Sequence, residues 1–144
     1  NELKKHGGWV MQVNYIAIVV GALLVVAFSA LYYFVLNKQV MALRSAKAPK
    51  KQDVRTKITL NKFLVEFVRT FVLGLVIAYA VSLLGIQRLD QAIIVAFWLW
   101  AGLPVVVFLG LVIHENFAGR LAAIHVGDWL GKILIFTVLL TLWQ

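Results

Sequence analysis

The chain contains no cysteine, which excludes a disulfide framework and a thiolate metal site. Proline occurs only twice, so few places force a helix to break. Acidic residues are scarce: six Asp and Glu face 14 Lys and Arg, for a formal net charge of +8. A surplus of that sign suits nucleic acid, but its distribution argues against it. Most of it lies in one stretch between two apolar runs, and no aromatic residue interrupts the charges from Lys38 to Lys62, so base stacking has no platform. No glycine-rich phosphate loop, nucleophile elbow or pair of catalytic carboxylates appears. The sequence therefore reads as non-enzymatic, with no cofactor, no metal and no nucleic-acid partner.

What is abundant is apolar surface. Hydrophobic residues make up 62% of the 144 residues and the mean hydropathy is +0.91. A soluble domain of this length has no interior large enough for them, and several runs approach or exceed the roughly 18 apolar residues that mark a membrane span. The first is Asn14–Leu36, uncharged, with Tyr15 near one end and Tyr32-Tyr33 near the other, as aromatic belts at two interfaces require. It is too long for a signal-peptide core and no small-residue cleavage site follows, so it reads as a retained helix. The second is Phe63–Leu84, with Glu66 and Arg69 at its start. The third is Ala92–Ile113, where Pro104 predicts a kink. The fourth has an uncharged part too short to span. Extended back through Lys132 and Asp128 to Leu121, and forward to Trp143, it fills a core of about 30 Å. The alternative is a half-span or an interfacial helix; the even number of crossings and the short turns favour the span.

These observations predict an all-α fold: one integral membrane domain over residues 1–144, a bundle of four helices at about 14–36, 63–84, 92–113 and 121–143. A basic loop, residues 37–62, joins the first two. Its Lys38, Arg44, Lys47, Lys50, Lys51, Arg55, Lys57 and Lys62 oppose one acid, Asp53. Cytoplasmic loops are rich in Lys and Arg, so this loop is expected inside, outnumbering Lys4-Lys5, with both termini outside. The break within it is expected at Ala48-Pro49. Its basic residues are candidates for anionic lipid headgroups, each adding about 1 kcal/mol near a charged surface, or for a partner protein.

That topology gathers Glu66, Arg69, His114, Glu115, His125, Asp128 and Lys132 at the loop end of the bundle. His125, Asp128 and Lys132 lie at i, i+3 and i+7, on one helical face. Asp128 precedes Lys132 by four residues, the favourable order for an ion pair, and Lys132 leans back toward it. An unpaired charge at that depth costs at least about 2.5–3.5 kcal/mol. The cluster reads as a packing lock, as a proton- or solute-handling site, or as a metal site through His114, Glu115, His125 and Asp128. The last matches no strong motif: His114-Glu115 begins an HExxH pattern, but Ala118 stands at the second histidine position. Small residues recur at four-residue spacing in Ala17/Gly21, Gly74/Ala78/Ser82 and Gly127/Gly131, which lets helices approach within the bundle or across a dimer.

The segment VNYIAIVVGALLVVAFSALYYFVLNKQVMAL, the FWLWAGL of the third run and the closing IHVGDWLGKILIFTVLLTLW resemble the small bacterial membrane proteins grouped as domain of unknown function 1761. Asn37 and Val40 stand where that pattern has Gly and Trp, and His125 and Asp128 where it has Asn and Tyr. The resemblance implies a four-pass protein of the bacterial cytoplasmic (inner) membrane and brings no catalytic residues. Two functions are expected. The first is a non-enzymatic protein acting by helix–helix assembly, as a homo-oligomer or an accessory subunit bound to other membrane chains. The alternative is a small oligomeric transporter or proton-coupled permease that uses the polar face of the fourth helix.

Overall fold

The computed structural model describes residues 13–45 and 60–143. Of the basic-loop residues, Lys47, Lys50, Lys51, Arg55 and Lys57 lie outside the described residues, as do Asp53, the Ala48-Pro49 break and Lys4-Lys5.

Helix α1 covers Tyr15–Val35. It starts at Asn14, whose side-chain oxygen accepts from the Ala17 amide at 3.1 Å and so satisfies one of the free N–H groups of the first turn. Leu36 leaves helical geometry and the chain resumes as α2, Asn37–Ser45. Helix α2 packs back against α6 and buries Val40. Helix α3 covers Leu60–Leu83, beginning three residues before the predicted start. It ends on Gly85, whose φ of +61° suits glycine alone at no cost. The Gly85 amide bonds Ser82 O and the Ile86 amide bonds Val81 O, a Schellman closure with Ile86 buried beneath it.

The third span runs from Leu89 to His114, starting three residues before and ending one after the expected Ala92–Ile113. It consists of α4, Leu89–Trp100, a π-helical turn over Ala101–Val105 that holds Pro104, and α5, Val106–His114. A proline inside a helix has no N–H to give and crowds the carbonyl four residues back; one wide turn makes room for it. This wide turn lies where the sequence predicts a kink. The connection to the last helix passes through Asn116 at φ +51°, a conformation that asparagine tolerates better than most residues. Helix α6 then covers Gly119–Leu142.

Among the described residues four helices, Tyr15–Val35, Leu60–Leu83, Leu89–His114 and Gly119–Leu142, are long and apolar enough to cross a membrane. The last has the lowest mean hydropathy of the four and the largest share of buried residues. Those two facts have one cause. Helix α6 packs against α1, α3 and α4, whereas α3 and the third span share no extensive contact with each other. It occupies the middle of the bundle, where Asp128, Lys132, Thr137 and Thr141 are buried in protein.

Phe136 of α6 is fully buried at the centre. Its ring lies where a Cβ on Gly21 or Gly74 would stand, 2.7 and 2.6 Å from the nearest ring carbon, so both glycines are notches cut for one side chain. Gly127 and Gly131 do the same for Tyr32 and Phe28 of α1. These glycines are spent on packing inside the chain. Ile18 and Val25 of α1, Ile77 and Val81 of α3, Ala92 and Ala96 of α4, and Ile133 of α6 complete the core.

Candidate functional site

Asp128 and Lys132 stand nine and thirteen residues after the start of α6, about 14 and 20 Å along its axis at 1.5 Å per residue. Both are buried, with side chains 3% and 9% exposed. Lys132 Nζ lies 2.9 Å from Asp128 Oδ2 and 3.2 Å from Glu66 Oε1 of α3. Glu66 also accepts from Arg69 through Oε2 at 3.0 Å. Two carboxylates and two cations form a chain that is electrically neutral as a whole. Asp128 is satisfied on its other side by Ser29 of α1, whose hydroxyl donates to Oδ1 at 2.6 Å. Among the described residues no buried side-chain nitrogen or oxygen lacks a partner, the condition for holding charge in an apolar surrounding.

His125 belongs to a neighbouring group. Its Nδ1 shares a 2.6 Å hydrogen bond with the Tyr33 hydroxyl. Its ring stacks on Phe108 at 5.6 Å and lies 6.1 Å from Phe117. Tyr32, one residue earlier on α1, donates to the Ile124 carbonyl at 3.1 Å. Trp100 Nε1 donates to the Val126 carbonyl at 2.8 Å, so α1 and α4 each reach the backbone of α6 beside the charged residues.

Of the predicted cluster, the fold therefore brings together Glu66, Arg69, Asp128 and Lys132, and places His125 beside them. It leaves His114 and Glu115 apart. Both are exposed at the end of α5, and neither has a hydrogen bond or ion pair to the cluster. No three of the described histidine and carboxylate side chains come close enough to share a metal ion.

Ser29, Tyr32, Tyr33 and Trp100 were not among the residues expected at the site; the tyrosines read as interface anchors. A signal for the α1 residues is present in retrospect: the hydroxyls at 29, 32 and 33 share one helical face at i, i+3 and i+4, the counterpart of His125 and Asp128 at i, i+3.

A cavity of about 690 Å³ opens over this group. Its floor is α1 and α6, through Ser29, Tyr33, His125, Asp128, Trp129 and Lys132, and its flanks are α3 and α5. Arg44 of α2 and Lys62 of α3 stand on its lining. The volume lies within the range of sites that enclose small molecules, about 300–1,000 Å³.

No curated protein and no solved structure matches the chain. The family model described as "Protein of unknown function (DUF1761)" matches residues 16–141, nearly the whole chain and all four long helices. The chain belongs to that family, as a membrane-helical member with four potential spans.

Proposed function

We propose that the protein binds a small solute in the cavity between α3 and α5 and works as a permease, with Glu66, Asp128 and Lys132 as the polar floor of its site. The observation that supports this is the position of Lys132: an ammonium group near the middle of a helix of spanning length, held by two carboxylates and lining an open cavity. Ionisable groups at such depth usually mark a solute or ion path. A lock that served packing alone has no need of an opening of that size above it. Assembly with other chains remains compatible with four greasy helices, but the glycines that first suggested it are turned inward onto Phe136, Tyr32 and Phe28. In this reading the loop end of the bundle faces the cytoplasm, on the strength of its Lys and Arg content, and no covalent chemistry is assigned.

The cysteine-free sequence supplies the test. Single replacements Ala30→Cys, on the cavity lining, and Leu23→Cys, exposed on the outside of α1, are treated with a membrane-impermeant thiosulfonate in oriented vesicles. Labelling of Ala30→Cys from the loop side, with Leu23→Cys inert, is the expected result. An unreactive Ala30→Cys would mean that water does not reach the charged floor, and the permease reading would fall.

A further inference from the structure

From the distribution of charge on the cavity wall we infer that the occupant is an organic anion with an apolar body: its acidic group lies between Arg44 and Lys62, and its body lies against Phe63, Phe117 and Trp129. This rests on the reading of the cavity as a solute site and adds the chemical class of the solute.

The deep part of the cavity is already balanced. Lys132 and Arg69 are matched by Asp128 and Glu66 through three contacts of 2.9–3.2 Å. What remains on the lining is Arg44 and Lys62. Neither has an acidic partner among the described residues. The site thus presents two uncompensated positive charges on flexible, exposed side chains, from the end of α2 and the start of α3. A cation entering here meets repulsion at the rim and, deeper, finds both carboxylates occupied. A neutral solute leaves the two cations unused. A carboxylate or sulfonate satisfies them, and a guanidinium suits an oxyanion by its paired N–H groups. The rest of the lining is largely aromatic and aliphatic, with Phe63, Phe108, Leu111, Phe117 and Trp129. An inorganic anion would leave that surface wet, whereas a flat or branched apolar body of drug-like size would cover it.

The test uses three probes that share one fluorescent body: dansylglycine (anionic), dansylamide (neutral) and dansylcadaverine (cationic). Each is titrated into the full chain in phosphatidylcholine nanodiscs, and dansyl emission sensitised by tryptophan is read, since Trp129 lies on the cavity wall. Empty nanodiscs correct for partition into lipid. The expected result is saturable binding of dansylglycine, at least about tenfold tighter than either of the others. It should weaken about tenfold or more in the Arg44→Ala/Lys62→Ala variant, in line with the loss of charge-assisted hydrogen bonds. Both positions are exposed, so that variant keeps its fold. Ala30→Phe, which fills the cavity, should abolish binding.

Equal or tighter binding of dansylamide or dansylcadaverine, lost in Ala30→Phe, would overturn the anion assignment and leave the solute cavity standing. Dansylglycine binding that survives Arg44→Ala/Lys62→Ala would overturn the placement of the acidic group. Complete displacement of dansylglycine by phosphatidylglycerol in the nanodisc would make the occupant a lipid headgroup and overturn the solute assignment. Saturable binding of none of the three would sink both the anion and the cavity reading.

Discussion

The hydroxyl of Ser29 in α1 donates to Oδ1 of Asp128 in α6 at 2.6 Å, across 99 residues of sequence, and turns an ion pair local to one helix into a tie between the first and last spans. Asp128 Oδ2 is already taken by Lys132, so Ser29 covers the remaining face of the carboxylate.

Ser29→Ala leaves that oxygen without its donor in a buried position. Loss of a hydrogen bond to a buried charged group costs about 1.5–3 kcal/mol. Thermal unfolding in detergent should show the decrease, and Ser29→Thr should retain most of the stability because it keeps the hydroxyl. An unchanged midpoint for Ser29→Ala would mean that water replaces the serine without loss.

Removing one member of the deep ion pair should be worse than removing both. Lys132→Met strands Asp128, and breaking a buried pair in this way costs about 3–5 kcal/mol. Lys132→Met with Asp128→Asn leaves no bare carboxylate on α6, so the double variant should recover part of that loss. The cycle of four proteins measures the coupling. Strict additivity would show that Lys132 is held by Glu66 alone.

The core makes a separate prediction. An alanine at position 74 places its Cβ 2.6 Å from the Phe136 ring, closer than carbon atoms pack, and overpacking of this kind costs about 1–3 kcal/mol. Phe136→Leu in the same chain should relieve part of the strain, because the leucine lacks the ring atoms in contact. Gly102→Ala, with nothing within 4 Å of the added methyl, is the control and should be neutral or slightly stabilising, since glycine inside a helix is itself unfavourable. Equal losses at 74 and 102 would reject the notch.

Two tryptophans two residues apart should differ. Trp100 donates its indole N–H to Val126 O, and Trp98 is 70% exposed on the outside of α4. Trp100→Phe should lower stability by about 0.5–1.5 kcal/mol, and Trp98→Phe should stay within about 0.5 kcal/mol of the parent. Thermal midpoints in nanodiscs decide between them.

The sequence carried the architecture because the signal for a span is length and composition, both local properties. It carried the ion pairs within one helix for the same reason: Asp128 with Lys132 and Glu66 with Arg69 follow from spacing alone. That Glu66 would meet Lys132 was accessible only as convergence at one end of the bundle; the pairing depends on α6 lying against α3. Tyr33 and Ser29 were harder to see. An aromatic at the end of an apolar run serves equally as an interface anchor and as a hydrogen-bond donor to a neighbour, and only the neighbour decides. The break at Leu36 carries neither Gly nor Pro, so no residue type announced it. Helix α6 read as the weakest span by hydropathy, and the structure bears out the span: its low hydropathy goes with the largest buried share of the four long helices.

The charge arrangement has a consequence for how the chain is made. Helix α6 leaves the ribosome after α1, α3 and α4, the helices it joins, so Glu66 is made before Lys132. Arg69 stands one turn away on the same helix and neutralises Glu66 during that interval, and Asp128 does the same for Lys132 when α6 follows. Each of the two segments therefore carries its acid and base as a local pair, and the Lys132–Glu66 bridge closes only when α6 packs against α3.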